Sequence, residues 1–387
     1  MHILLHIGQS KTGTSAIQEN LTLNRAPLRE AGVLYPSVTV GGISLEMYNH
    51  NSVADALVGL SRYPNKTADQ YFDQFFDEAQ RMGANHIILS AEHFFGGEPR
   101  IWDVTDEKNY FSNYRAKIKT LAQYLSGHKV TLLVYLRPQV DWLASAISHN
   151  IRIEQLITSK NPVYCDDRQF FEMAKPVLQY YRLIDTWANC LSPHEVIVIP
   201  YERNLLHKKN IVADFLYRTK LDSFGLTLNS TGLQVNQSLS REYTEVKKIL
   251  NRTPRGKNEE RVVITCLERL SACSASLAPY KLSDKLISEV VGYVSTENKL
   301  LNKYYVQDGM QLDAQSETYK TSDKQLLSEV DIASAVVTFE REFSSPRARL
   351  LTCDYATRAF LREHAKPLHS LLHQLKHMWQ RSNIFTK

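Results

Sequence analysis

Short, almost unbroken apolar runs alternate with longer stretches of helical spacing from residue 2 to about 220. The runs at His2 to Ile7, His86 to Leu89, Val130 to Leu136 and Glu195 to Ile199 are too short for buried helices and show little polar alternation. They therefore read as strands covered on both faces. Between and after them, apolar residues recur at helical spacing near Thr14 to Ala31, Asp69 to Met82, Tyr114 to Leu125, Val140 to Ile151, Phe170 to Asn189 and Lys209 to Thr219. Strand and helix in alternation predict an α/β fold, with a parallel sheet flanked by helices on both faces.

From Leu239 onward the pattern turns mainly helical, with breaks at Arg252 to Asn258 and at Tyr305 to Asp331. The second break is polar and lacks periodicity, which reads as a linker or a long mobile loop. The expected organisation is an α/β core over 1–235 and a mainly helical C-terminal part over 236–387 that completes the site and packs on the core. The chain ends on an amphipathic pattern in which Phe360, Leu368, Leu371, Leu372, Leu375, Met378 and Trp379 share one stripe. Three burials of that stripe are open: on its own domain, on a second copy as a homodimer, or on an anionic membrane surface. His369, His373 and His377 fall along one side of this helix, but no carboxylate or cysteine converges with them, so no metal site is assigned.

At 387 residues with 43% hydrophobic and 22% charged content, the chain buries one large core or two modest ones. No run of eighteen apolar residues occurs, so no transmembrane segment is expected. The apolar start is interrupted too soon for a signal peptide, which makes a cytoplasmic location the expectation. The net charge of +5 is spread among acids, which does not indicate nucleic-acid binding. Cys165, Cys190, Cys266, Cys273 and Cys353 are odd in number and contain no C-x-x-C pair, so neither disulfides nor zinc is supported.

The candidate chemistry begins at the end of the first strand, where residues 6 to 15 read His-Ile-Gly-Gln-Ser-Lys-Thr-Gly-Thr-Ser. A strand, a tight loop and a helix start expose unpaired N–H groups at the positive end of a helix dipole, a cradle for phosphate or sulfate. Lys11 adds charge, Gly13 lets the backbone approach, and Thr12, Thr14 and Ser15 add hydroxyl donors. The order G-x-x-K-T-G-T departs from the nucleotide-binding G-x-x-x-x-G-K-[ST], which places both glycines before the lysine.

The loop resembles the 5′-phosphosulfate loop of sulfotransferases that use 3′-phosphoadenosine 5′-phosphosulfate (PAPS). A second match follows the run at Val130 to Leu136, where Arg137-Pro138 and Ser145 stand at the spacing with which that family grips the 3′-phosphate. Arginine suits the task through its planar, permanently charged fork. A third is Glu92, after the run at His86 to Leu89, where carbohydrate-directed members carry the general base; His93 is the rival, disfavoured because an adjacent residue on extended backbone points the other way. Tyr180 to Trp187, Val196 to Glu202, Asn236 to Ser240 and Glu297 to Tyr305 extend the resemblance, toward bacterial polysaccharide-type enzymes, to about residue 305. Arg137-Pro138-Gln139 departs from the common R-D-P, and the basic loop that finishes the 3′-phosphate site in many animal enzymes has no clean counterpart, Arg255-Gly256-Lys257 being the only candidate.

The resemblance implies a P-loop-like sheet and an enzyme with PAPS as donor, a saccharide or glycan hydroxyl (less often an amine) as acceptor, and adenosine 3′,5′-bisphosphate as product. It assigns Lys11 and Glu92 to catalysis and Lys11, Thr12, Gly13, Thr14, Ser15, Arg137 and Ser145 to the cofactor, with no metal. The turn-rich stretches Gly41 to Pro64 and Gly96 to Asn109 flank these strand ends and are expected to hold the acceptor. Two other classes stay open. A P-loop kinase needs a magnesium-holding aspartate at a strand end, where this chain has Arg137-Pro138. A non-catalytic glycan-binding or assembly protein on the same fold would most simply lack Lys11 or Glu92, and both are present.

Overall fold

The structure is a computed structural model and describes residues 1–40, 43–45, 47–60, 65–96, 106–153, 166–224, 239–253, 255–273, 280–307, 309–321 and 329–344. Five parallel strands form the central sheet: β1 (His2–His6), β2 (Val33–Leu34), β5 (His86–Ser90), β6 (Lys129–Leu136) and β7 (Glu195–Pro200) in the order β2-β5-β1-β6-β7. A two-stranded antiparallel pair, β3 (Val38–Val40) and β4 (Ile43–Leu45), stands apart from it. Register pairs His2 with both His86 and Lys129, so β1 sits between β5 and β6. The chain leaves β1 for the β2 edge, returns to β5 and then crosses to β6. The carboxyl ends of β5, β1 and β6 thus meet where the winding changes side, the place where open α/β sheets bind ligands.

Every residue of β6 after Lys129 is buried, as its continuous apolar run requires of a strand covered on both faces. The helices of this first compact unit are α1 (Thr14–Leu23), α2 (Arg25–Glu30), α3 (Asn51–Ala56), α4 (Ala68–Arg81), α5 (Glu92–Gly96), α6 (Glu107–Tyr124), the start of α7 (Gln139–Ile153), α8 (Asp167–Leu178), α9 (Tyr180–Leu191), α10 (Ile211–Arg218), α13 (Asp284–Tyr304) and α14 (Glu317–Thr321). A second unit contains the end of α7 with α11 (Arg241–Asn251), α12 (Lys257–Cys273) and α15 (Glu329–Phe343). Its core gathers Tyr243, Val246, Val263, Leu267 and Phe339, and α11 and α12 are also joined by a fully buried ion pair, Lys247 Nζ to Glu260 Oε1 at 2.8 Å.

Two expected helices are each two. The stretch Thr14 to Ala31 breaks at Asn24, whose side chain donates to Asn20 O at 2.8 Å. A continuous helix would drive the Pro27 ring into the carbonyl of Leu23, and the break instead places Pro27 in the first turn, where it needs no N–H. The stretch Phe170 to Asn189 breaks at Gln179, three residues after Pro176. The two-residue strand β2 is too short to leave a periodic signal.

The reading of Tyr305 to Asp331 as a linker or a long mobile loop is corrected in its described part. Val306 bridges to Val198 on β7, Leu312 and Tyr319 are buried, and the Asn302 side chain bonds Leu312 N and O at 2.8 and 3.1 Å. The polar residues there bond to the fold, and residues 282–322 count with the sheet's unit. Among the described residues no helix is long and apolar enough to cross a membrane, and Cys190, Cys266 and Cys273 are unpaired thiols. The expected C-terminal helix with its three histidines lies outside the described residues.

Candidate functional site

Lys11 is the point where sequence and backbone strain coincide. Its φ of 69° is left-handed, which costs a side-chain-bearing residue roughly 1–2 kcal/mol, and Gly13 follows at 76°. Two turned residues bring the chain from β1 into α1 with no side chain capping the helix start. A Cβ at residue 13 would lie 3.2 Å from Ile211 Cγ2 and 3.3 Å from the Tyr201 hydroxyl, so the loop lies closely against α10 and the turn after β7. At residue 8 a Cβ would fall 2.6 Å from Thr14 Cγ2. We expect Lys11→Gly to be more stable than Lys11→Ala by about 1 kcal/mol, because glycine relieves the left-handed strain that alanine retains. Urea midpoints of the two variants check this, and equal midpoints would show that the loop relaxes when lysine is gone.

The hydroxyls of Thr12 and Thr14, expected as anion donors, both donate to Gln9 O instead, at 2.6 and 3.2 Å, and both residues are fully buried. Their contribution to the cradle is the backbone. Ser15, half-buried in the first turn of α1, accepts the Tyr48 hydroxyl at its carbonyl. Gln9 itself carries no signal in spacing or composition. It proves to be the joint of the site: its Oε1 accepts Arg137 N–H at 2.8 Å, while its Nε2 donates to the Tyr180 hydroxyl at 2.6 Å, which in turn donates to Arg137 O at 3.0 Å. The ends of β1 and β6 and the start of α9 are thereby held by one buried amide.

Arg137 Nη1 donates to Lys11 O at 3.3 Å, so the two cations expected from separate motifs do share one site. Arg137 makes no direct ion pair among the described residues; Asp141 acts on it from further off. Asp141 is buried on the first turn of α7 and accepts Ser316 N at 3.0 Å and the Ser316 hydroxyl. Burial pushes its carboxyl upward, against the pull of Ser316 and Arg137. Ala314 O takes the Val140 N–H at 2.9 Å, and Gln139 exchanges two bonds with Asn298. Among the described residues after 236, Asn298, Ala314 and Ser316 reach this site. Ser145 is half-buried on α7, with no hydrogen bond to Arg137 among the described residues. Arg255, by contrast, belongs to the second unit, where it donates to Leu250 O.

Glu92 does not end a strand; it opens the short helix α5 directly after β5. On a helix adjacent side chains are about 100° apart rather than opposed, so the argument from extended backbone against His93 does not hold. What separates the two is their engagement. His93 Nδ1 lies 2.8 Å from Asp55 Oδ1, and its N–H donates to Asn51 Oδ1 at 3.2 Å. Glu92 lies within the electrostatic reach of Lys11: burial raises its carboxyl above the usual range for glutamate, with the Lys11 and His93 charges pulling back. A carboxylate that binds protons more readily than usual, within the field of a lysine, suits a base that accepts a hydroxyl proton.

Beneath these groups lies a buried polar layer. His6 Nδ1 and Ser90 Oγ are 2.8 Å apart, Gln18 Nε2 donates to Ser90 Oγ at 3.2 Å, and Ser90 N–H donates to His50 Nδ1 at 3.0 Å, while His50 N–H returns a bond to Ser90 O. His50 thus grips the strand end two residues before Glu92. Of the expected acceptor stretches, 41–42, 46, 61–64 and 97–105 lie outside the described residues. No family model, no curated protein and no solved structure matches this chain.

Proposed function

We propose that the chain is a sulfotransferase that moves the sulfuryl group of 3′-phosphoadenosine 5′-phosphosulfate to a hydroxyl or amine of a saccharide acceptor. The observation that carries this reading is the convergence of Lys11, Glu92 and Arg137 at the ends of β1, β5 and β6, with Arg137 Nη1 on Lys11 O and Glu92 within the electrostatic reach of Lys11. The donor set fits a phosphosulfate: a lysine, an arginine and an uncapped helix start on a loop whose Gly13 is left-handed and closely packed. The donor supplies an activated sulfuryl group whose transfer spreads charge over its oxygens. Lys11 neutralises charge on the departing phosphate, and the N–H groups of residues 12–15 hold the 5′-phosphate. Arg137 with Ser145 binds the 3′-phosphate, and Glu92 takes the acceptor's proton.

Adenosine 3′,5′-bisphosphate is expected to bind on the order of ten- to a hundredfold more tightly than AMP. Each lost charge-assisted contact costs roughly 1.5–3 kcal/mol, and AMP leaves Arg137 and Ser145 without their phosphate. Calorimetry reads the ratio. Equal affinities would remove the assignment of Arg137 and Ser145, and magnesium-dependent binding of ATP tighter than that of the bisphosphate would favour a kinase.

A further inference from the structure

The segment that leads into α3 presents one aromatic ring to solvent and anchors it on every side. Arg25 donates to Met47 O, the Tyr35 hydroxyl donates to Tyr48 O at 2.8 Å, and His50 is locked to Ser90. Between these anchors Tyr48 is 37% exposed, and its hydroxyl is committed to Ser15 O in the first turn of α1. A tyrosine whose polar end is already bonded offers a ligand its apolar face. Burial pushes its phenol up to about 12, and the charges of Glu19, one turn beyond Ser15 on α1, and of Glu92 add to the shift. The ring therefore stays neutral and in place throughout the physiological range.

We propose that Tyr48 determines acceptor specificity by stacking on the face of a neutral or amino-bearing pyranose, with Glu19 and Glu92 accepting its hydroxyl or ammonium protons and repelling rings that carry a carboxylate or sulfate. The inference deepens the sulfotransferase reading and rests on it for the role of Glu92. Aromatic faces contribute large rigid contact area at small entropic cost, and the C–H face of a pyranose is complementary to them. The carboxylates add selectivity of sign, because like charges repel, most strongly at Glu92, which is the more buried of the two. A ring already sulfated beside the reacting hydroxyl meets the same repulsion, which favours release of product over a second transfer.

Saturation-transfer NMR with the methyl glycosides of glucose, glucosamine and glucuronic acid tests this on the full chain, in the presence of adenosine 3′,5′-bisphosphate. We expect saturation of the glucoside and glucosaminide ring protons, none of the glucuronide, a loss of roughly tenfold in Tyr48→Ala, and retention in Tyr48→Phe, which keeps the ring; aromatic contacts of this kind are worth about 1 kcal/mol or more. Glu19→Gln should admit the glucuronide. Circular dichroism confirms that the variants fold, as an exposed side chain allows. Equal saturation in Tyr48→Ala, saturation of the glucuronide by the unaltered chain, or no saturation of any glycoside would each overturn the proposal. Bisphosphate affinity, measured separately, reports on the sulfotransferase reading: it survives a failed glycoside test, and its loss leaves a positive glycoside result standing.

Discussion

Replacing Glu92 by Gln is expected to lower sulfation 10²- to 10⁴-fold, the usual contribution of a general base, while leaving the affinity for adenosine 3′,5′-bisphosphate nearly unchanged. The amide keeps the shape and loses the ability to take a proton. The same change should raise stability. Burial lifts the Glu92 carboxyl above its unfolded value, so at neutral pH the folded state carries a charge it disfavours, and that cost vanishes as pH falls through the folded value. Opposite signs in activity and stability are what a functional residue predicts and a structural one does not. Lys11→Ala should differ by weakening the bisphosphate as well as slowing turnover. Single-turnover rates, calorimetry and thermal midpoints on the two variants decide it. Near-normal turnover in Glu92→Gln with a dead His93→Ala would move the base to the His93–Asp55 pair.

The second large effect is acid sensitivity from the histidines under the site. Burial lowers His50 to about 4 and His6 to about 3, both well below the ordinary 6.5. A histidine whose folded value is depressed is held neutral, so the unfolded chain binds more protons below 6.5 and stability rises with pH there. The stabilisation is fully present above pH 6.5 and is lost as pH falls from 6.5 toward 4. Each group contributes about 1.4 kcal/mol per pH unit in that window, so the pair removes roughly 7 kcal/mol by pH 4, comparable to the whole stability of an ordinary domain. Urea midpoints between pH 7.5 and pH 4 should therefore fall steeply. His6→Leu is expected to halve the slope, since it removes an imidazole whose Nε2 has no hydrogen-bond partner and whose ring packs edge-on to Tyr135 and Phe215. A flat profile in the unaltered chain would show that neither histidine is held neutral by the fold. The function-side consequence is direct: charging His50 disrupts the bond from Ser90 N–H, two residues before Glu92.

Sequence alone determined the elements whose cause is local. Continuous apolar runs specify strands buried on both faces, and β1, β5, β6 and β7 fall where those runs are. Helical spacing placed α4 and α10 within two residues, and the K-T-G-T-S loop and Arg137 stand at strand ends because strands stop where polar residues begin. The two helix breaks were missed, because the apolar period runs through Pro27 and Pro176 and masks the stop that each proline imposes.

The tertiary structure decided what depends on partners distant in the chain. Strand order brings Lys11 and Arg137 together across 126 residues. Gln9, an unremarkable residue in a loop, becomes the joint between β1, β6 and α9 because its amide is enclosed by groups 128 and 171 residues away. Thr12 and Thr14 turn inward because the folded loop brings Gln9 O within reach of both hydroxyls, a bond that composition does not reveal. The polar stretch at 309–321 looked solvated for the same reason: hydrogen-bonding capacity is written in the residue, whereas the partner, water or Asp141 on α7, is chosen by packing.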